Sequence, residues 1–191
     1  MSTHRTGPLN TAQCRRLADA LTIGRAVAGL PLILALASNA SELAWWLLLL
    51  AGLSDAADGW LARRAGGGSV WGARLDPLTD KILITAPLLW LAAQQVLPLW
   101  AIWLLLAREL LISGWRADQG SGGPASWSGK AKTILQFAAL LLLLWPNDWG
   151  ASLGGPGSFG LPAVLHLLGT WLFWPSLLLA LSSAWGYLRK S

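Results

Sequence analysis

The sequence predicts an all-α integral membrane protein with six transmembrane helices. Composition is the first reason. Of 191 residues, 54% are hydrophobic and only 12% charged, about half the charged share of a soluble domain, and the mean hydropathy is +0.51. Length is the second: at about 20 residues per span plus short connections, the chain holds about six helices. The third is where the basic residues fall. Stretches 38–42, 95–98 and 146–160 contain no Lys or Arg, whereas the N-terminus, 63–74, 116–132 and the C-terminus hold nearly all of them. That alternation fits an even number of spans with both termini cytosolic.

The elements follow in order. Residues 1–18 form a cytosolic juxtamembrane segment with Arg5, Arg15 and Arg16, and 9–17 is a candidate short interfacial helix. Residues 19–191 are expected to form one six-helix transmembrane domain. The spans are expected over 20–37, 43–64, 71–96, 98–118, 130–145 and 161–187. The turns between them contain SNASE at 38–42, Gly66 to Gly68, QGSGGPASWSG at 119–129 and PNDWGASLGGPGSFG at 146–160. Pro77 lies in the first turns of the third span, where proline is tolerated, and Pro175 interrupts the sixth. Six of the fourteen Trp (Trp45, Trp46, Trp100, Trp145, Trp149 and Trp185) fall near span ends and read as interfacial anchors. The lone Cys14 forms no internal disulfide, and the isolated His166 reads as a packed or hydrogen-bonded residue.

One stretch does not suit a membrane core. Residues 54–81 read SDAADGWLARRAGGGSVWGARLDPLTDK and gather Asp55, Asp58, Asp76 and Asp80. Carboxylates in a low-dielectric setting carry a heavy cost, so four together need a reason. Divalent metal is that reason: two hard cations such as Mg²⁺ or Mn²⁺ cancel four negative charges and commonly act on phosphates. Asp55 and Asp58 are i, i+3 and Asp76 and Asp80 are i, i+4, so each pair shares a helix face. The glycines break the chain between the pairs. Counted from the break, Asp58 and Asp76 lie roughly 9 Å and 8 Å up their helices, and Asp55 and Asp80 both roughly 14 Å. The acids are level in pairs, as a two-metal site requires.

The pattern D-x2-D-G-x2-A-R-x8-G-x3-D-x3-D occurs here as Asp55, Asp58, Gly59, Ala62, Arg63, Gly72, Asp76 and Asp80, with every type and spacing intact. It resembles the signature of the CDP-alcohol phosphatidyltransferase family. The resemblance implies that family's six-helix bundle and transfer of a phosphatidyl group from CDP-diacylglycerol to an alcohol, with release of CMP. It implies Asp55, Asp58 and Asp76 as metal ligands, with Asp80 as a further ligand or as the base for the acceptor hydroxyl. Gly59, Ala62 and Gly72 are small enough for a nucleotide to approach the backbone, and Arg63 is placed to pair with phosphate. ARELLISGWR at 107–116 and SWSGKAKTILQ at 126–136 resemble the branch whose acceptor is sn-glycerol 3-phosphate. Arg108, Arg116, Lys130 and Lys132 would bind that acceptor's phosphate. Glu109, Ser126, Trp127, Gly129, Thr133 and Gln136 belong to the same match. Near the start of the first span, LADALTIGR resembles the family's usual Asn, Thr and Arg, with Asp19 where Asn is common and with Thr22 and Arg25. The family implies a homodimer, and a bacterial cytoplasmic (inner) membrane with the site on the cytosolic side.

Other readings compete. Sister enzymes use inositol phosphate, inositol, serine or an aminoalcohol, but an uncharged acceptor leaves the cations without a ligand. Phospholipase-D-like synthases need His-x-Lys, and neither His4 nor His166 has Lys two residues on. A divalent-cation transporter needs acids along a path through the membrane, yet only Glu42 and Asp148 lie in the outer turns. The net charge of +5 reflects cytosolic loops rather than nucleic-acid binding.

Overall fold

The computed structural model describes residues 11–64, 70–118, 127–150 and 160–188. Over most of 11–22, 55–80, 115–130 and 185–188 it describes the backbone and not the side chains. Among the described residues there are six helices: α1 (Thr11–Ala37), α2 (Ser41–Arg64), α3 (Val70–Ala93), α4 (Leu99–Asp118), α5 (Trp127–Leu143) and α6 (Leu161–Leu188). The number matches the expectation, and the boundaries moved by three residues or more in three places. Helix α1 runs unbroken from Thr11, so the short helix expected at 9–17 is, from Thr11 on, its first turns. Helix α3 stops at Ala93 rather than 96, and α5 begins three residues earlier than expected, at Trp127.

Two of the connections are closed by the same device. After α1, Asn39 takes a left-handed φ of 59°. Ala40 N then donates to Ala35 O at 2.8 Å and Asn39 N to Leu36 O at 3.2 Å. After α3, Gln95 has φ 58°, with Val96 N on Leu91 O and Gln95 N on Ala92 O, both at 3.0 Å. This is the Schellman arrangement, which satisfies carbonyls that a helix end leaves open. Glycine usually takes the left-handed position. With Asn in one case and Gln in the other, the sequence carries only a weak signal for where these helices stop.

Packing runs in two groups. Helix α1 lies against both α2 and α3, and α5 lies along α6. Helix α4 joins the groups by touching α6 and α3, and α2 reaches α5. The shared core takes Leu32 and Leu36 from α1, Ala44 and Leu48 from α2, Leu88 and Leu91 from α3, Ile102 and Leu105 from α4, Leu140 from α5 and Phe173 from α6. Helices α5 and α6 approach closely at Gly169. A Cβ on Gly169 would come within 2.9 Å of Leu143 N and 3.0 Å of Ala139 O, so only glycine fits there without moving backbone. The buried face of α6 continues through Phe173, Ser176, Leu177 and Ala180, one helical stripe. Helix α6 passes through Pro175 without ending, and the buried Ser176 hydroxyl donates to Phe173 O at 2.7 Å.

Candidate active site

The motif lies where α2 ends and α3 begins. Asp55 and Asp58 stand one turn apart in α2, and Asp76 and Asp80 one turn apart in α3. Both pairs belong to the helix ends that flank 65–69, opposite the turns at 38–40 and 94–98. The side chains of Asp55, Asp58, Arg63, Asp76 and Asp80 lie outside the described residues, as do the surroundings of Gly59, Ala62 and Gly72. The side chains of Arg116, Lys130 and Asp19 lie outside them too. Between the last two aspartates, Thr79 is buried.

Beside this end stands a polar cluster drawn from three helices. Arg108 of α4 donates through Nε to Ala180 O of α6 at 2.9 Å, through Nη1 to Glu109 Oε1 at 3.0 Å, and through Nη2 to the Ser183 hydroxyl. Lys132 of α5 donates to the same Glu109 Oε1. Ser183 donates in turn to Ala180 O at 2.8 Å. Two of the four expected acceptor-binding cations, far apart in sequence, thus meet on one carboxylate. Charges in the apolar length of α4 signalled a functional role. The part of Ser183 and of the Ala180 carbonyl carried no such signal, because a serine near a helix end has many roles.

A cavity of about 340 Å³ lies between α1, α2, α3 and α5, walled mainly by Ala51, Gly52, Leu83, Ile84, Phe137 and Leu141, with Arg25 and Thr133 as polar members. Ala51 is one turn before Asp55, and Ile84 one turn after Asp80, so the cavity starts beneath the motif. Gly52 shapes one wall: an added Cβ would lie 2.1 Å from Cζ of Phe137, so the ring packs directly on the α2 backbone. Arg25 is only 2% exposed. It does not snorkel out of the bundle; it is part of this wall.

At the opposite end the expected Trp anchors are joined to one another. Trp45, Trp145 and Trp149 contact edge to face, with centroids 5.2–5.4 Å apart, and Trp46 meets Trp45 at 5.1 Å. Trp45 Nε1 donates to Leu141 O at 2.9 Å and Trp149 Nε1 to Glu42 at 2.8 Å. His166 Nε2 lies 2.9 Å from Trp145 O, the hydrogen-bonded role expected of it. These contacts tie the start of α2 to the end of α5 and to α6. Trp100 leans on Trp174, and the Trp185 side chain lies outside the described residues.

Comparison with known proteins bears on this arrangement directly. A model of the CDP-alcohol phosphatidyltransferase family matches residues 15–182, and the chain belongs to that family: it is a phosphatidyltransferase. A probable phosphatidylglycerophosphate synthase of Mycobacterium tuberculosis is 38% identical over 143 residues, covering 71% of this chain and 68% of the relative. The CDP-diacylglycerol–glycerol-3-phosphate 3-phosphatidyltransferases of Escherichia coli K12 and Salmonella typhimurium are 37% identical over 130 residues, covering 63% of this chain and 70% of each relative.

Proposed function

We propose that this enzyme transfers the phosphatidyl group of CDP-diacylglycerol to sn-glycerol 3-phosphate, forming phosphatidylglycerophosphate and CMP. The observation that carries the choice of acceptor is the meeting of Arg108 and Lys132 beside the motif-bearing end of α3. A phosphorylated alcohol needs buried cations of this kind, and inositol or serine offers no phosphate for them. The relatives' names agree.

Asp55, Asp58, Asp76 and Asp80 are hard oxygen donors, and two carboxylates one turn apart on each of two helices suit Mg²⁺ or Mn²⁺. Metal held there would supply the positive charge that offsets the donor diphosphate and the leaving CMP. The chain's own groups do the rest. Arg63 pairs with a donor phosphate, and Gly59, Ala62 and Gly72 leave room for the nucleotide. Arg108, Arg116, Lys130 and Lys132 hold the acceptor by its phosphate, leaving its hydroxyl toward the donor. That oxygen attacks the phosphorus bearing diacylglycerol, and Asp80 takes its proton. The new P–O bond forms as the bond to CMP breaks. The cavity below the motif, lined by Ala51, Gly52 and Phe137, takes the first part of an acyl chain of the donor.

The same helices support a membrane setting. Helix α1 exposes Ile23, Val27, Leu30 and Leu34, and α2 exposes Leu43, Trp46, Leu50 and Leu53. Apolar stripes of that extent face lipid rather than water. Among the described residues only Leu161–Ala184 is long and apolar enough by itself to span. Among the described residues, shorter apolar stretches run over Ile23–Ala37, Ser41–Ser54, Lys81–Ala93 and Ala131–Leu143. The motif shares its end of the bundle with most of the basic residues, which supports a site at the cytosolic boundary, where a lipid donor and a soluble acceptor can meet. A purified-protein assay with CDP-diacylglycerol and a panel of labelled alcohols tests the proposal. Glycerol 3-phosphate is expected to be turned over fastest; faster transfer to free inositol or serine would assign the enzyme to a sister group.

A further inference from the structure

An anion site has an obvious use for Arg108 and Lys132 and none for Glu109, whose carboxylate repels a phosphate. Yet Glu109 sits between the two cations, and the three side chains are only 10%, 17% and 7% exposed for Arg108, Glu109 and Lys132. Three features define its part. Arg108 and Glu109 are neighbours on α4, and successive helical residues point about 100° apart. Their 3.0 Å contact therefore requires both side chains to bend toward each other, and Lys132 of α5 closes on the same oxygen. The guanidinium is also fixed from α6, by Ala180 O and Ser183. Lastly, both Arg108 and Lys81 lie within electrostatic range of the Lys132 ammonium, and Lys81 directly follows Asp80. The cluster thus lies near Lys81, at the motif-bearing part of α3.

Two buried cations side by side repel, and without a counter-charge neither keeps its place cheaply. Resting on the reading of glycerol 3-phosphate as acceptor, we propose that Glu109 is a positioning residue that clamps Arg108 and Lys132 into one fixed pair for the acceptor's phosphate, with Ser183 of α6 as the second anchor. The three charged groups sum to one positive charge, so the cluster remains attractive to an anion while its geometry is held. The acceptor site then spans α4, α5 and α6, and the last helix becomes part of specificity.

The test uses the purified full-length chain with CDP-diacylglycerol and glycerol 3-phosphate, varying each substrate in turn. Glu109→Gln keeps the size and removes the charge. It is expected to raise the glycerol 3-phosphate KM about tenfold or more, while the CDP-diacylglycerol KM stays within about twofold. Glu109→Asp, a shorter carboxylate, is expected to recover part of the loss. Ser183→Ala is expected to give a smaller rise with the same selectivity. An acceptor KM that is unchanged or lower in Glu109→Gln overturns the proposal, as does an equal rise in both KM values or an Asp variant no better than Gln. Should Glu109→Gln fail to fold, Ser183→Ala decides, and an unchanged acceptor KM there overturns it. Wild-type enzyme that ignores glycerol 3-phosphate overturns the acceptor reading itself. Wild type that uses it beside insensitive variants overturns only the role of Glu109.

Discussion

Asp80 poses the sharpest question at the level of single residues. It follows Asp76 by one turn, so it shares the motif's face of α3 without having to share the metals. The acceptor hydroxyl is a weak acid that must lose its proton as it attacks, and no other conventional base lies in the motif: Lys81 points roughly 100° away around the helix. Asp80→Asn is expected to keep metal-dependent CDP-diacylglycerol binding, measured by calorimetry, while transfer falls roughly 10²–10⁴-fold, the scale of a positioned acid or base. Loss of donor binding together with turnover would make Asp80 chiefly a ligand. Asp58→Ala is the contrasting case, expected to abolish activity in a protein that still folds, because the proposed role of this carboxylate is to hold metal rather than to pack.

Between elements, the α5–α6 contact and the cavity wall carry separate predictions. Gly169 has backbone atoms of α5 within 3.0 Å of where a Cβ would stand, and backbone cannot rotate aside as a side-chain tip can. Gly169→Ala is expected to cost about 1–3 kcal/mol through forced separation of the two helices, read as a lowered unfolding midpoint in detergent. Because Arg108 is anchored on Ala180 O and Ser183, the same substitution is also expected to weaken acceptor binding. The cavity gives the opposite selectivity. Ala138 lines it from α5, and Ala138→Phe is expected to fill it, raising the CDP-diacylglycerol KM with little effect on glycerol 3-phosphate. A raised acceptor KM alone would remove the acyl chain from that cavity.

The whole molecule is polarised along its helices. One end carries the four motif aspartates and most of the basic residues; the other carries the Schellman turns and the Trp45–Trp145–Trp149 cluster with Glu42. Residues 1–18 and the C-terminus are therefore expected on the cytosolic side. In a Cys14→Ala background, single cysteines placed at Ser2 and Ser191 are expected to be shielded from an impermeant reagent added outside; labelling of either end would overturn the six-span topology. Activity is expected to vanish after exhaustive EDTA treatment and to return with Mg²⁺ or Mn²⁺.

The six helices and the family were legible in the sequence because each is a local or periodic signal. A membrane span announces itself by composition over about 20 residues, and eight motif positions fall within the 26 residues from Asp55 to Asp80. Helix ends were less legible, because Asn39 and Gln95 take left-handed conformations where glycine would have marked the stop. What only the tertiary structure decided is which distant residues meet. Nothing in the order of the chain says that Arg108 and Lys132 share one oxygen of Glu109, that Ser183 anchors Arg108, or that Phe137 packs on Gly52. Nor does it say that Arg25 turns inward to a cavity and that three tryptophans close the far end together. Those pairings depend on how helices rotate and cross, which is set by close packing at sites such as Gly169 and not by the hydrophobicity of any one helix. When a helix is apolar on nearly every side, its own sequence leaves its inward face unmarked, and only its neighbours select it.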